Sequence, residues 1–77
     1  MSNQLITSDP QIMVGKPVIV GTRITVELIL EKLASGDSIL DILDAYPHLT
    51  REGVQAAIEF ARESVSTLSV FPTRANA

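Results

Sequence analysis

Arg51, Gln55, Glu59 and Arg62 lie along one expected helix, at spacings that put them on its exposed side. Arginine can read guanine and glutamine can read adenine in the major groove of DNA. Lys16 and Arg23, earlier in the chain, would add contacts to the phosphate backbone. Glu52, Glu59 and Glu63 share the helix and repel phosphates, whose neutralisation supplies most non-specific affinity. The plainer reading is a solvated face with internal ion pairs such as Glu59–Arg62, and it is preferred.

Arg23 stands between Thr22 and Ile24, just ahead of another expected helix. It would serve as an anchor for a phosphate or carboxylate, or as a structural clamp on Asp9, Asp37 or Asp41. The planar guanidinium fork suits the clamp, which is the preferred reading. Val70, Phe71 and Arg74 surround Pro72 in the C-terminal tail. A segment with one aromatic anchor and one cation can fold onto a partner. The plainer reading, a frayed terminus or a tail tucked over the domain's own core, is preferred.

Catalytic constellations are absent from the sequence, so no enzymatic activity is expected. His48 is the single histidine and sits beside Pro47 in a turn. There is no cysteine, hence no thiol nucleophile, no disulfide framework and no expected metal site. Gly15-Lys16 lacks the upstream glycine and the following Ser/Thr of a phosphate loop. Asp41 and Asp44 read as a solvated acidic edge, and no cofactor is called for.

The elements that must carry these residues belong to one domain of 77 residues. A chain of this size buries only roughly 60% of its unfolded surface, so its core is small and a second copy is the expected staple. The hydrophobic content of 45% leaves apolar side chains over for such an interface, and the N-terminal strands are the expected place for it. The net charge of −3 argues against a general nucleic-acid binder and suits docking on a basic protein. No apolar run approaches a membrane span and the N-terminus lacks signal-peptide character, so a cytoplasmic protein is expected.

Two short strands or a small hairpin are expected over residues 5–20. They would be built from Leu5–Thr7, the run Ile12-Met13-Val14, and Val18–Val20, with turns at Asp9-Pro10 and Gly15-Lys16-Pro17. Helices are expected at about 26–35, 38–46 and 51–65. Thr25, Ser38 (with Asp41 at capping-box spacing) and Thr50 are placed to start them, and Gly36 and Pro47 to end the first two. Their apolar stripes are Val26, Ile29, Leu30 and Leu33; Ile39, Ile42, Leu43 and Tyr46; and Val54, Ala57, Ile58, Ala61 and Val65. Gly53, near the start of the third helix, is expected to cost ~1 kcal/mol against alanine. Leu49 in the second turn is expected to plug the core. Residues 1–65 then form the domain and 66–77 a tail. The fold class is mainly α, a three-helix helix-turn-helix bundle with a short N-terminal β-element.

The chain resembles a family of short prokaryotic domains known as domain of unknown function 433. The motifs are Asp9-Pro10, Gly15-Lys16-Pro17-Val18-Ile19, Gly21-Thr22-Arg23-Ile24-Thr25-Val26, Leu33-Ala34-Ser35-Gly36-Asp37-Ser38 and Tyr46-Pro47-His48-Leu49-Thr50. The resemblance spans roughly residues 5–64, and together the motifs are specific. The resemblance implies a homeodomain-like helical domain with a short β-element. It also implies, for some members, an antitoxin of VapB type paired with a PIN-like ribonuclease toxin. On that reading Arg74 would face the acidic metal-binding pocket of the nuclease, Val70 and Phe71 would anchor the tail, and Lys16, Arg23, Arg51, Gln55 and Arg62 would serve an operator. The alternative is an interaction or oligomerisation module that binds no DNA. Gly53 departs from the family's pattern, which favours a longer or acidic residue there.

Overall fold

Thr25, Ser38 and Thr50 each end an extended stretch and begin a helix. All three have extended backbone dihedrals. Their hydroxyls accept from the amides of Leu28, Asp41 and Gly53, each at 3.0 Å. Each cap satisfies an amide that the first helical turn leaves without a partner. The resulting helices are α1 (Val26–Ala34), α2 (Ile39–Ala45) and α3 (Arg51–Ser66), each within one residue of the sequence expectation at both ends. The structure, a computed structural model, describes residues 4–68.

The helix ends follow from the same local chemistry. Gly36 has φ +102, a left-handed state that glycine adopts without strain. It lets the amide of Gly36 reach the carbonyl of Leu33 and that of Asp37 reach Lys32, closing α1 with a Schellman motif. At the start of α2, Ser38 and Asp41 form a reciprocal capping box. Tyr46 leaves the helix ahead of Pro47, and the amide of Leu49 returns to the Tyr46 carbonyl at 2.9 Å. That turn drives Leu49 into the core.

The sheet is small. β1 (Ile6–Thr7) and β2 (Val18–Ile19) pair antiparallel, with Ile6 opposite Ile19 and Thr7 opposite Val18. The other edge of β2 is occupied too. The Ile19 amide donates to the Ile24 carbonyl, Val18 bridges Thr25, and the Val26 amide donates to Pro17. This second pairing places the start of α1 directly against β2.

Each pair of helices is in contact, and β1 packs on α3. The buried apolar core is Val18, Ile19, Val26, Ile29, Ile42, Leu49, Val54 and Ala57. Ile6, Ile24, Leu30, Leu33, Ile39, Leu43, Tyr46 and Phe60 pack around it, half-buried. The mainly α class and the N-terminal β-element are as expected, and so are the plug at Leu49 and the stripes of α1 and α2.

Three local expectations are corrected. The run Ile12-Met13-Val14 does not form a strand. Met13, Val14 and Gly15 have φ of 51, 57 and 83 and make a left-handed turn. The Asp9 turn and the capture of the Gly15 carbonyl by the Ser8 hydroxyl fix that reversal. On α3, Ile58 and Val65 are exposed and Phe60 takes a place on the core instead. Gly53 is buried under β2, so it serves close packing and is not merely a weak point in the helix.

Candidate functional site

Lys16 and Arg23 are brought together by the loops that flank β2. The left-handed turn ends with the Lys16 amide on the Met13 carbonyl at 3.1 Å, which aims Lys16 at the first turn of α1. Its ammonium lies 2.9 Å from a Glu27 carboxylate oxygen, and both side chains are exposed. Arg23 sits in the loop after β2. Gly21 has φ +82, and the Thr22 hydroxyl donates to the Ile19 carbonyl at 2.8 Å while accepting from the Ile24 amide at 3.0 Å. The backbone on either side of Arg23 is therefore pinned, and its side chain projects outward. Between the Met13 turn and α1 lies an open depression of about 290 Å³ lined by Lys16, Arg23, Thr25, Glu27, Leu28 and Glu31.

The clamp expected of Arg23 is not formed. Among the described residues it bridges no carboxylate. Asp41 is held in the capping box and Asp9 caps the Gln11 amide at 2.9 Å. Thr22, through one hydroxyl used as donor and acceptor, ties the loop in place of the arginine.

Arg51, Gln55 and Arg62 lie on the outer side of α3 and are exposed. At 3.6 residues per turn they fall within roughly 40° of one another. Arg62 is already engaged. Its guanidinium is 2.6 Å from Glu59 and 4.0 Å from Glu63, as the preferred solvated-face reading required. The hydrogen bond from Arg62 holds the Glu59 carboxyl below its usual range, and that carboxylate in turn raises the Arg62 guanidinium. Both groups are in water, so the pair is worth little to stability.

The adjoining side of α3 carries Ile58, Ala61 and Val65, which the sequence pattern assigns to the core, and Leu68 of the expected tail continues the row just past the helix end. Ile58, Ala61, Val65 and Leu68 follow one another at intervals of three, four and three residues. Val65 is 58% exposed, Leu68 is 62% exposed and Ile58 is exposed to a lesser degree, while Ala61 is partly covered. The buried side of α3 centres on Gly53, Val54, Ala57 and Phe60, roughly a quarter-turn away. Phe60 is the signal that sequence reasoning passes over. An aromatic outside the assigned stripe means the stripe is rotated. Val70, Phe71 and Arg74 lie outside the described residues. Among the described residues, no group of His, Cys, Asp and Glu has the geometry to hold a metal ion, and no helix is long and apolar enough to cross a membrane.

Comparison with known proteins gives the same frame. The family model described as "Protein of unknown function (DUF433)" matches residues 6–61. The chain is 35% identical over 60 residues to "Uncharacterized protein y4eO" of Sinorhizobium fredii (strain NBRC 101917 / NGR234), covering 78% of this chain and 27% of that protein. It is similar in structure to a DUF433 member protein from Anabaena variabilis ATCC 29413, with a TM-score of 0.76 and 27% identity. That match covers 80% of this chain and 61% of the other. The chain thus spans about a quarter of the curated relative and about three-fifths of the solved one.

Proposed function

The chain belongs to the DUF433 family, and from that premise we propose that it is the antitoxin of a VapBC-type toxin–antitoxin pair. It acts in the cytoplasm as a binding protein that neutralises a PIN-like ribonuclease. The observation that carries this reading is the apolar row Ile58, Ala61 and Val65 along α3, continued by Leu68 just past its end, on the side adjoining Arg51, Gln55 and Arg62. A row at this spacing is what one helix presents to a groove or to a second helix. Full burial of a Val, Leu or Ile side chain contributes about 1.5–3 kcal/mol, and Ile58, Val65 and Leu68 begin partly covered, so each contributes on the order of 1 kcal/mol and Ala61 less. Val70, Phe71 and Arg74 follow the row in sequence. The Arg74 guanidinium suits the carboxylate pocket of a metal-dependent nuclease, where it would compete with the metal.

Operator binding is the secondary part of the proposal. It rests on Arg51 and Gln55, because Arg62 is engaged by Glu59 and Glu63. A second reading, an interaction or oligomerisation module without a nuclease target, is favoured by the exposed apolar tip Met13-Val14 beside Lys16 and Arg23. The deciding experiment is purification of the endogenous protein with its bound partner, followed by assay of that partner's ribonuclease activity with and without the chain. A PIN-like partner whose activity is suppressed supports the antitoxin. Copies of the chain alone, or a partner without nuclease activity, would remove it.

A further inference from the structure

We propose that the face around the Met13-Val14 tip is where two copies of this chain dock, with Arg23 of each opposite Glu31 of the other. This inference does not rest on the nuclease reading. It starts from the charges that border the depression between the Met13 turn and α1. Lys16 and Glu27 neutralise one another within the chain at 2.9 Å. Arg23 and Glu31 are left, opposite in sign, and neither makes an ion pair among the described residues.

An apolar partner laid over this face would bury both charges unpaired, which opposes docking strongly. A purely acidic or purely basic partner would answer one charge and clash with the other. The face needs an anion for Arg23 and a cation for Glu31, at the spacing at which the face itself carries a cation and an anion. A second copy turned about a two-fold axis supplies both, and forms each pair twice.

The apolar part of the contact comes from the left-handed turn. Val14 is 89% exposed and Met13 is also exposed, and both have positive φ. A β-branched side chain in that region is strained, and here the strain displays it to water. Beside the tip is the depression of about 290 Å³, with half-buried Leu28 on its wall. In a two-fold arrangement the tip of one copy meets the depression of the other, reciprocally.

The test uses charge reversal and sedimentation equilibrium on the full chain. The wild type is expected to be dimeric at micromolar concentration. Arg23→Glu and Glu31→Arg, each alone, face like charge across the axis and should associate roughly tenfold or more weakly. Mixed in equal amounts, the two variants should form a heterodimer. The carboxylate introduced at position 23 of one copy then meets the guanidinium introduced at position 31 of the other. The second pair is the native one, Glu31 of the first variant against Arg23 of the second. Circular dichroism of each variant checks that its helices are intact. A monomeric wild type, single variants that dimerise like the wild type, or a mixture that stays monomeric would each overturn the proposal. Failure of these experiments leaves the row on α3, and with it the nuclease reading, untouched.

Discussion

Gly53 lies directly beneath Ile19. A methyl group built on its α-carbon would come to 3.3 Å from Ile19 Cγ2, 3.4 Å from Thr50 Oγ1 and 3.5 Å from Leu49 Cδ1. The missing side chain lets the strand and the turn approach the first turn of α3. Replacing glycine by alanine in a helix normally gains ~1 kcal/mol, and the 3.3 Å contact takes most of that gain away. Gly53→Ala should therefore leave stability nearly unchanged. Gly53→Val, with two further methyl groups, should lower it by about 1–3 kcal/mol. Urea unfolding followed by circular dichroism reads both, and a valine variant as stable as the wild type would contradict the packing described.

The left-handed turn makes the opposite prediction for Val14. Its side chain is in water, so its removal loses little packing. Asparagine tolerates this backbone region without the entropic cost of glycine. Val14→Asn should raise the unfolding free energy by about 1 kcal/mol. The same change should weaken association of two copies, so monomer stability and dimer strength move in opposite directions. Parallel denaturation and sedimentation of one variant would detect any failure of that opposition.

The start of α2 should be sensitive to acid. The Ser38 amide, and after it the Ser38 hydroxyl, hold the Asp41 carboxyl below its usual range. A carboxyl with a folded pKa below its unfolded one stabilises fully above the ordinary carboxylate range. That contribution disappears as the pH falls through the depressed value. Protection of the amides at residues 39–42, taken as exchange relative to the intrinsic rate at each pH, should fall on acidification and stay flat towards neutral pH, and Asp41→Asn should abolish the acid response. Ser38→Ala removes the hydroxyl cap and should cost about 1 kcal/mol at neutral pH.

On α3, Val65→Lys should leave helicity and melting temperature close to those of the wild type, because the side chain is mostly exposed and a cation suits the last helical turn. Substitutions at such positions usually change stability by less than about 0.5 kcal/mol. Under the proposed antitoxin role, the same substitution should remove binding to the nuclease. A variant that still inhibits would place the docking surface elsewhere.

Much of this molecule is legible in the chain because its boundaries are set by local chemistry. Thr25, Ser38, Thr50, Gly36 and Pro47 act within a few residues of themselves, and the helices begin and end where those residues dictate. The turn at Met13-Val14 is not legible. Val14 favours extended backbone and neither side chain favours the left-handed region, and the Ser8 and Asp9 contacts that override this come from the other side of the reversal. The rotation of α3 is hidden for a related reason. Its apolar residues are compatible with either of two faces, and the choice is made by Gly53 under Ile19, a contact between residues 34 positions apart. Arg23 reads as a clamp in the sequence, yet a neighbouring threonine meets the loop's hydrogen-bonding needs with a single hydroxyl.

The contacts of Ile6 and Ile19 with α3 bear on how the molecule comes into being. The first element packs on the last, and an isolated two-stranded ribbon does not persist in water. A nascent chain that has exposed only the residues ahead of α3 lacks the helix surface that covers those isoleucines in the finished core. The strands and α3 are therefore expected to close together, as one cooperative unit, once α3 is made.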